Sequence, residues 1–348
     1  MWSVTERIRG TVISRGLHLA RPWALLLLIL PLFTRCSGRW HDPSPHVVRF
    51  ITVDRTVPLE VLDWGGSGRP VVLLAGAGNT AHVFDDFAPK LTSEFHVWGI
   101  TRRGFGASGF RSDDNSADSL GEDVLEVLNA LRIERPILIG HSLAGLEMSS
   151  VASRYPERVA GLVYLDSGYS YAFDNGRGAE VMDMIKLHAP AQPPGPQTAD
   201  LASFSAYRRY AARIDGFEVP EAELRFQRKA RWFGRVGDSI HQAGASMPMA
   251  VLSAGKKYTQ IPVPALFIYA SPHSLGPWVE LNADPKVRAE GRRFVANLQA
   301  LETKQIDAVK DAFPSDQVIV LAGAHHYVFL SREAEVLKDI RTFIAGLK

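Results

Sequence analysis

The 348-residue chain has a single cysteine, Cys36, which excludes an intramolecular disulfide and a cysteine-based metal cluster. Excess charge of one sign is also lacking. Lys and Arg number 39 against 37 Asp and Glu, a formal net charge of +2, and the basic residues are scattered rather than striped. That balance argues against a nucleic-acid partner. There is no HExxH, and histidines such as His241 and His273 have no partners at metal-ligand spacing, so neither a metal nor a cofactor is implied. Internal repeats are missing. What remains is ordinary for a globular protein: 46% apolar and 22% charged residues. The length suits one large domain with an insertion, or two smaller domains.

The N-terminus departs from this average. Residues 1–21 carry Arg7, Arg9, Arg15 and Arg21 against Glu6, and an apolar run follows from Trp23 to Phe33 before the polar stretch SGRWHDPSPH. A basic segment, a short apolar core and a polar exit describe a secretory signal peptide. The run falls short of the roughly 20 apolar residues that span a bilayer. Cys36 stands where a lipoprotein cysteine would, but Arg35 replaces the small residue expected before it. Residues 1–45 are therefore expected to direct export or to anchor the chain at a membrane, cleaved or uncleaved. The alternatives are a disordered basic extension of a cytoplasmic protein, or a start codon placed too early. Folding is expected to begin near residue 45.

From residue 46 onward, short β-rich runs alternate with helical stretches. VVRFITV and VPLEVLDW predict two strands joined by a turn, and PVVLLAGAG predicts a buried strand ending in glycines. AHVFDDFAPKL predicts a helix, and FHVWGI another strand. Leu120, Val124, Val127, Leu128 and Leu131 lie at helical spacing, with Ser119 and Glu122 as a capping box. RPILIGHS runs into the helix LAGLEMSSVASRY, and VAGLVYLD follows. The last third offers the strand PALFIYA, a helix from about Asp284 to Phe313, the strand QVIVLAG, and a final helix whose apolar face is Val336, Leu337, Ile340, Phe343 and Leu347. Apolar strands separated by helices predict a mostly parallel sheet covered on both faces. Residues 168–262 break the alternation. They show no clear strand, many aromatic and basic residues and an AQPPGPQ interruption, which together predict a helical lid between 46–167 and 263–348.

The sharpest chemical signal is Gly140-His141-Ser142-Leu143-Ala144-Gly145, placed between an apolar strand and a helix. That is the context of a nucleophile elbow, a strained turn that presents a serine and needs small residues two positions to either side. Gly140 and Ala144 meet the need, although alanine replaces the usual second glycine. The helix beginning after Ser142 directs free N–H groups at the reaction centre, so the amide of Leu143 is a candidate oxyanion donor. Ala75-Gly76-Ala77-Gly78-Asn79 follows the strand PVVLL, Arg102-Arg103-Gly104-Phe105-Gly106-Ala107-Ser108 follows FHVWGI, and Gly323-Ala324-His325-His326-Tyr327 follows QVIVLA. The string GAGNTA also fits a dinucleotide fingerprint. That reading wants an acid at the end of the next strand, where Thr101-Arg102-Arg103 stands, and its glycines normally follow the first strand of the unit.

These motifs resemble those of the α/β-hydrolase superfamily, and the resemblance runs from about residue 46 to the end. It implies an eight-stranded-type sheet with helices on both faces and a helical lid. It also implies a second oxyanion donor in the amide of Ala77, where Ala75 replaces the usual histidine, and a general base in His326 rather than His325. The Arg-Gly-x-Gly-x-Ser segment would shape the loop beneath the site. Members usually take the triad acid from just after the post-lid strand, but Ser271-Pro272-His273-Ser274 offers no carboxylate there. Asp166, at the end of VAGLVYLD, is the preferred substitute. Asp284 is the alternative, and a Ser–His dyad helped by water or a backbone carbonyl is a third. His141 receives no catalytic role. Phe84, Phe105, Phe173, Trp232 and Trp278 could line an apolar acyl pocket or simply fill the core.

The implied activity is hydrolysis of a small ester-like acyl substrate through Ser142, His326 and Asp166. A serine at the elbow argues against haloalkane dehalogenase and epoxide hydrolase chemistry; carboxylesterase, lipase, C–C hydrolase, lactonase and amidase chemistry stay open. The competing reading is a non-catalytic protein of the same fold that binds an apolar ligand under the lid.

Overall fold

The computed structural model describes residues 40–111, 115–314 and 317–347. Of the expected signal peptide or anchor with its linker, residues 1–45, residues 1–39 with Cys36 lie outside the described residues. No helix among the described residues is long and apolar enough to cross a membrane. The architecture below is that of the unit His41–Lys348.

Strands β1 (Val47–Val53) and β2 (Val57–Gly65) form an antiparallel pair at one edge of an eight-stranded sheet. The parallel part begins with β3 (Arg69–Leu74) and β4 (Phe95–Ile100). Helix α1 (Ala117–Leu131) leads to β5 (Ile137–His141), and α2 (Ala144–Arg154) leads to β6 (Gly161–Leu165). The inserted segment carries α3 (Val181–Ile185), α4 (Phe204–Asp215), α5 (Glu221–Gln227), the two short strands β7 (Arg228–Ala230) and β8 (Val236–Ser239), and α6 (Met247–Ser253). The chain returns to the sheet as β9 (Ala265–Ala270), continues through α7 (Pro277–Glu280) and α8 (Pro285–Lys310) to β10 (Val318–Leu321), and closes with α9 (Val328–Ser331) and α10 (Glu333–Ala345). The sheet order is β1-β2-β4-β3-β5-β6-β9-β10.

The strand period of two explains why these strands read as unbroken apolar runs. Val71 and Leu73 join one core cluster with Ile137, Ile139, Val163 and the α10 residues Val336 and Ile340. Val72 and Leu74 join the opposite cluster with Leu138, Tyr164 and the α1–α2 residues Val124, Leu128 and Val151. Both faces are therefore dry. The parallel pairings also set the strand ends level: His141 pairs with Leu165, Leu165 with Ile268, and Ala270 with Leu321. Loops leaving β5, β6, β9 and β10 consequently emerge side by side at the carboxyl edge, where ligands bind in such sheets.

Local expectations need three corrections. AHVFDDFAPKL forms two 3-10 turns, Ala81–Phe84 and Ala88–Leu91, rather than one helix; Pro89 has no N–H to continue a helical ladder. Helix α1 starts three residues early, capped by Ser116 Oγ, which accepts the Ser119 amide at 3.2 Å. The insertion, expected to lack strands, contains the β7–β8 hairpin. Core contacts are already present at residue 44, near the expected start of folding: Ser44 Oγ donates to the Asp85 carbonyl at 3.3 Å and accepts the Trp64 indole N–H at 3.1 Å.

Candidate active site

Ser142 follows β5 directly and has φ +50°, the left-handed region that only a tightly constrained non-glycine residue holds. Its amide donates to the Leu165 carbonyl at 3.2 Å, and α2 begins two residues later. The small-residue requirement is real here. A Cβ at Gly140 would stand 2.9 Å from the Ala144 methyl and from Met148, and one at Gly76 would stand 2.7 Å from the His141 ring.

Asp166 follows β6, also with positive φ (+47°), and is fully buried. Its Oδ2 lies 2.6 Å from His326 Nδ1 and 2.7 Å from His273 Nε2. Its Oδ1 accepts the Tyr169 hydroxyl at 2.9 Å and the Ala270 amide at 3.0 Å. Four donors around one carboxylate decide its charge. Burial on its own would raise the pKa, but the His273 cation and the hydrogen bonds from His273 and His326 outweigh it and hold the carboxyl well below its usual range. Asp284 is placed differently. It is exposed and caps α8, accepting the Lys286 amide at 2.8 Å.

The structure thus brings Ser142, His326, Ala77 and Leu143 onto one cavity of about 390 Å3 and pairs His326 with Asp166. The amides of Ala77 and Leu143 make no hydrogen bond within the described protein. None of the five aromatics considered for the acyl pocket lines this cavity. Phe84, Phe105 and Phe173 are core residues, while Trp232, at 87% exposure, projects from the β7–β8 hairpin. The apolar walls are Tyr169, Tyr171, Val181, Met184, Leu252 and Leu298.

The surrounding polar residues hold these loops. Arg102 is buried; its guanidinium donates to the carbonyls of Ala75 (2.8 Å) and Gly76 (3.2 Å) and pairs with Glu147 of α2. Arg103 forks onto Asp123 of α1 at 2.6 and 2.5 Å. Arg102, the residue before the Arg-Gly-x-Gly-x-Ser segment, therefore holds the loop carrying Ala77, while Arg103 of that segment ties it to α1. Charge-assisted bonds of this kind are worth roughly 1.5–3 kcal/mol each. Glu223 of α5 accepts from Asn79 Nδ2, the Thr80 amide and the Thr80 hydroxyl, which fastens the insertion to the end of the same loop. His141 lies 3.1 Å by Nε2 from the His326 carbonyl and packs against Tyr327 and Phe329, so it braces the histidine loop; burial above all keeps it neutral, its pKa far below 6.5. Glycines 76 and 78 lead into a four-residue 3-10 turn, without the α-helix whose N-terminus a dinucleotide pyrophosphate requires.

His273 and Glu302 were missed by sequence reasoning. His273 occupies the post-β9 position where a carboxylate was expected, and its Nδ1 is 2.5 Å from Oε1 of the fully buried Glu302 on α8. The sequence held one signal: Glu302 falls in helical register with buried Ile306 and Val309. Burial works against charge on His273, but the two carboxylates overcome it and raise its pKa to about 10. The stability this proton contributes should be complete below pH ~6.5 and lost as pH rises through about 10. Urea unfolding of wild type and His273→Gln should therefore show a stability gap at pH 6 that narrows toward pH 10. A gap constant with pH would show that His273 folds neutral.

Comparison with known proteins agrees with this architecture. A family model described as the alpha/beta hydrolase family matches residues 71–339, and the chain belongs to that family. It is 24% identical over 280 residues to 2-(acetamidomethylene)succinate hydrolase of Mesorhizobium japonicum, covering 80% of this chain and 89% of the relative. An esterase of Mycobacterium tuberculosis is 32% identical over 127 residues, or 36% of this chain and 41% of its own length. Three other curated relatives are likewise matched over only 36%, 38% and 48% of their lengths. Among solved structures, E-2-(acetamidomethylene)succinate hydrolase superposes with a TM-score of 0.57 at 19% identity, covering 86% of this chain and all of that one. A membrane phospholipase A gives 0.53 at 16% identity, covering 87% of each chain. The protein is an α/β-hydrolase.

Proposed function

We propose that this hydrolase cleaves ester-like acyl substrates through a covalent acyl-enzyme formed on Ser142. One observation carries the reading: Ser142, held at positive φ after β5, shares a cavity with His326, whose Nδ1 is bonded to buried Asp166 at 2.6 Å. An ionised Asp166 keeps the proton on Nδ1, which leaves the Nε2 lone pair to take the Ser142 hydroxyl proton as Oγ attacks the carbonyl carbon. The carbonyl π electrons move onto oxygen, and the amides of Ala77 and Leu143 receive that oxyanion. Collapse expels the alcohol, which takes the proton from His326; water then repeats the sequence and frees the acid.

The apolar walls favour an aliphatic or aromatic acyl group over a charged one. Each methylene buried there contributes about 0.8 kcal/mol, or about fourfold in kcat/KM. A p-nitrophenyl ester series from acetate to palmitate should therefore climb over the first several methylenes and then flatten as the cavity fills. A fluorophosphonate probe should label the full chain on Ser142 alone. Labelling elsewhere would sink the nucleophile assignment. Neither labelling nor ester turnover would favour the non-catalytic, ligand-binding alternative.

A further inference from the structure

A second cluster of ligating side chains lies away from Ser142, against the turn that follows the Ala75–Asn79 loop. Asp42 and His46 come from the segment preceding β1, and His82 and Asp85 from the 3-10 turn Ala81–Phe84 and its cap. One ligand atom from each lies within 4.8 Å of all the others. His82 Nδ1 is 2.8 Å from Asp85 Oδ2 and 3.2 Å from Asp42 Oδ2, and His46 Nδ1 is 3.0 Å from Asp85 Oδ1.

The directions of these atoms say more than the distances. Asp42 Oδ2, His46 Nδ1 and Asp85 Oδ1 are all buried, and none has a hydrogen-bond partner. The His46 and Asp85 side chains are each only 4% exposed. His46 and Asp85 thus meet at 3.0 Å without hydrogen-bond alignment, an arrangement that leaves buried polar atoms unsatisfied at a cost of about 1–3 kcal/mol each. A cation among them would satisfy all three. Tetrahedral zinc with bonds near 2.0–2.1 Å needs ligand atoms about 3.3 Å apart; His82 Nδ1–Asp42 Oδ2 at 3.2 Å and His46 Nδ1–Asp85 Oδ1 at 3.0 Å match that edge, while His46 approaches Asp42 Oδ2 at 3.9 Å through Nε2, and a shift of a few tenths of an ångström would close the set.

The outer contacts suit a metal as well. Asp42 Oδ1 is already used by the Ser44 amide at 3.0 Å, which leaves Oδ2 for the centre. His82 Nε2 faces Glu60 Oε1 at 3.6 Å, and Glu60 is itself held by the Thr101 hydroxyl at 2.8 Å. A carboxylate behind a ligating imidazole fixes its tautomer and raises its basicity. Two imidazoles with two carboxylates favour zinc or a similar first-row ion over calcium and magnesium, which take oxygen ligands.

We propose that Asp42, His46, His82 and Asp85 form a structural zinc site that clamps the segment before β1 onto the turn beyond the Ala77 loop. Four protein ligands leave no open position, so the ion would hold structure and take no part in turnover.

The test uses the full chain, freed of metal by a chelator and titrated with cobalt(II) and then zinc(II). One equivalent of cobalt should give the visible absorption of a tetrahedral site, zinc should bleach it, and zinc should raise Tm by several degrees. Asp42→Asn with His46→Gln should weaken binding at least 100-fold, because two of the four ligands are replaced by neutral amides. His273→Gln should retain the cobalt spectrum. The proposal is overturned if wild type shows neither spectrum nor Tm shift, or if the signal survives the Asp42/His46 pair and disappears with His273→Gln, which would place the ion at the Asp166 cluster.

Discussion

Ser142→Ala is expected to lower kcat/KM for p-nitrophenyl esters by about 10^5, roughly 7 kcal/mol of transition-state stabilisation. Alanine keeps the Cβ, so the strained φ of +50° and its neighbours Gly140 and Ala144 are unchanged and the fold should melt within a degree or two of wild type. The loss is then chemical: no oxygen remains to attack. His326→Ala should cost about as much, and the double variant scarcely more, since nucleophile and base act as one unit. Residual turnover over water would come from binding and the Ala77 and Leu143 amides. Retention of a tenth of wild-type activity by Ser142→Ala, with the fold verified by circular dichroism, would remove Ser142 from the mechanism.

Asp166→Asn should lower kcat by about 10^3 to 10^4. The carboxylate oxygens accept from Tyr169, Ala270, His273 and His326. An amide offers one acceptor oxygen and turns an NH2 toward donors. If that NH2 meets His326 Nδ1, the imidazole must carry its proton on Nε2, where it cannot receive the serine proton. Stability should fall too, because protonated His273 loses one of its two counter-charges, so rates must be referred to the folded fraction. Asp284→Asn should change kcat by less than twofold and stability by a few tenths of a kcal/mol, since asparagine caps helices about as well as aspartate. The opposite pattern, with Asp284 essential and Asp166 dispensable, would overturn the acid assignment.

Much of the frame was legible in the chain. Continuous apolar runs such as PVVLL and ILIG mark strands buried on both faces, and their spacing by helices requires parallel connections. Gly140-x-Ser142-x-Ala144 between strand and helix is a local steric necessity, readable because every constraint lies within five residues. Where a constraint was local but finely balanced, reading failed. The 3-10 turns around Pro89 and the Ser116 cap turn on single hydrogen bonds that the apolar pattern does not encode.

The acid could only be ranked from sequence, because Asp166 and Asp284 stand equally well at ends of predicted elements. Parallel register places only one of them beside the histidine: β6 neighbours β9, which neighbours β10, so the ends of these strands converge and Asp166 meets His326 across 160 residues. The same register carries His273 to Asp166, and the buried stripe of α8 brings in Glu302. Asp42 and His46 reach His82 and Asp85 only after the segment before β1 folds back on the core. By itself, then, the sequence determined the layers, the elbow serine and the histidine loop, since periodicity and backbone sterics act over a few residues. Which carboxylate faces which imidazole was decided by tertiary structure alone, because charge pairing depends on distance in space and these partners lie 29 to 160 residues apart.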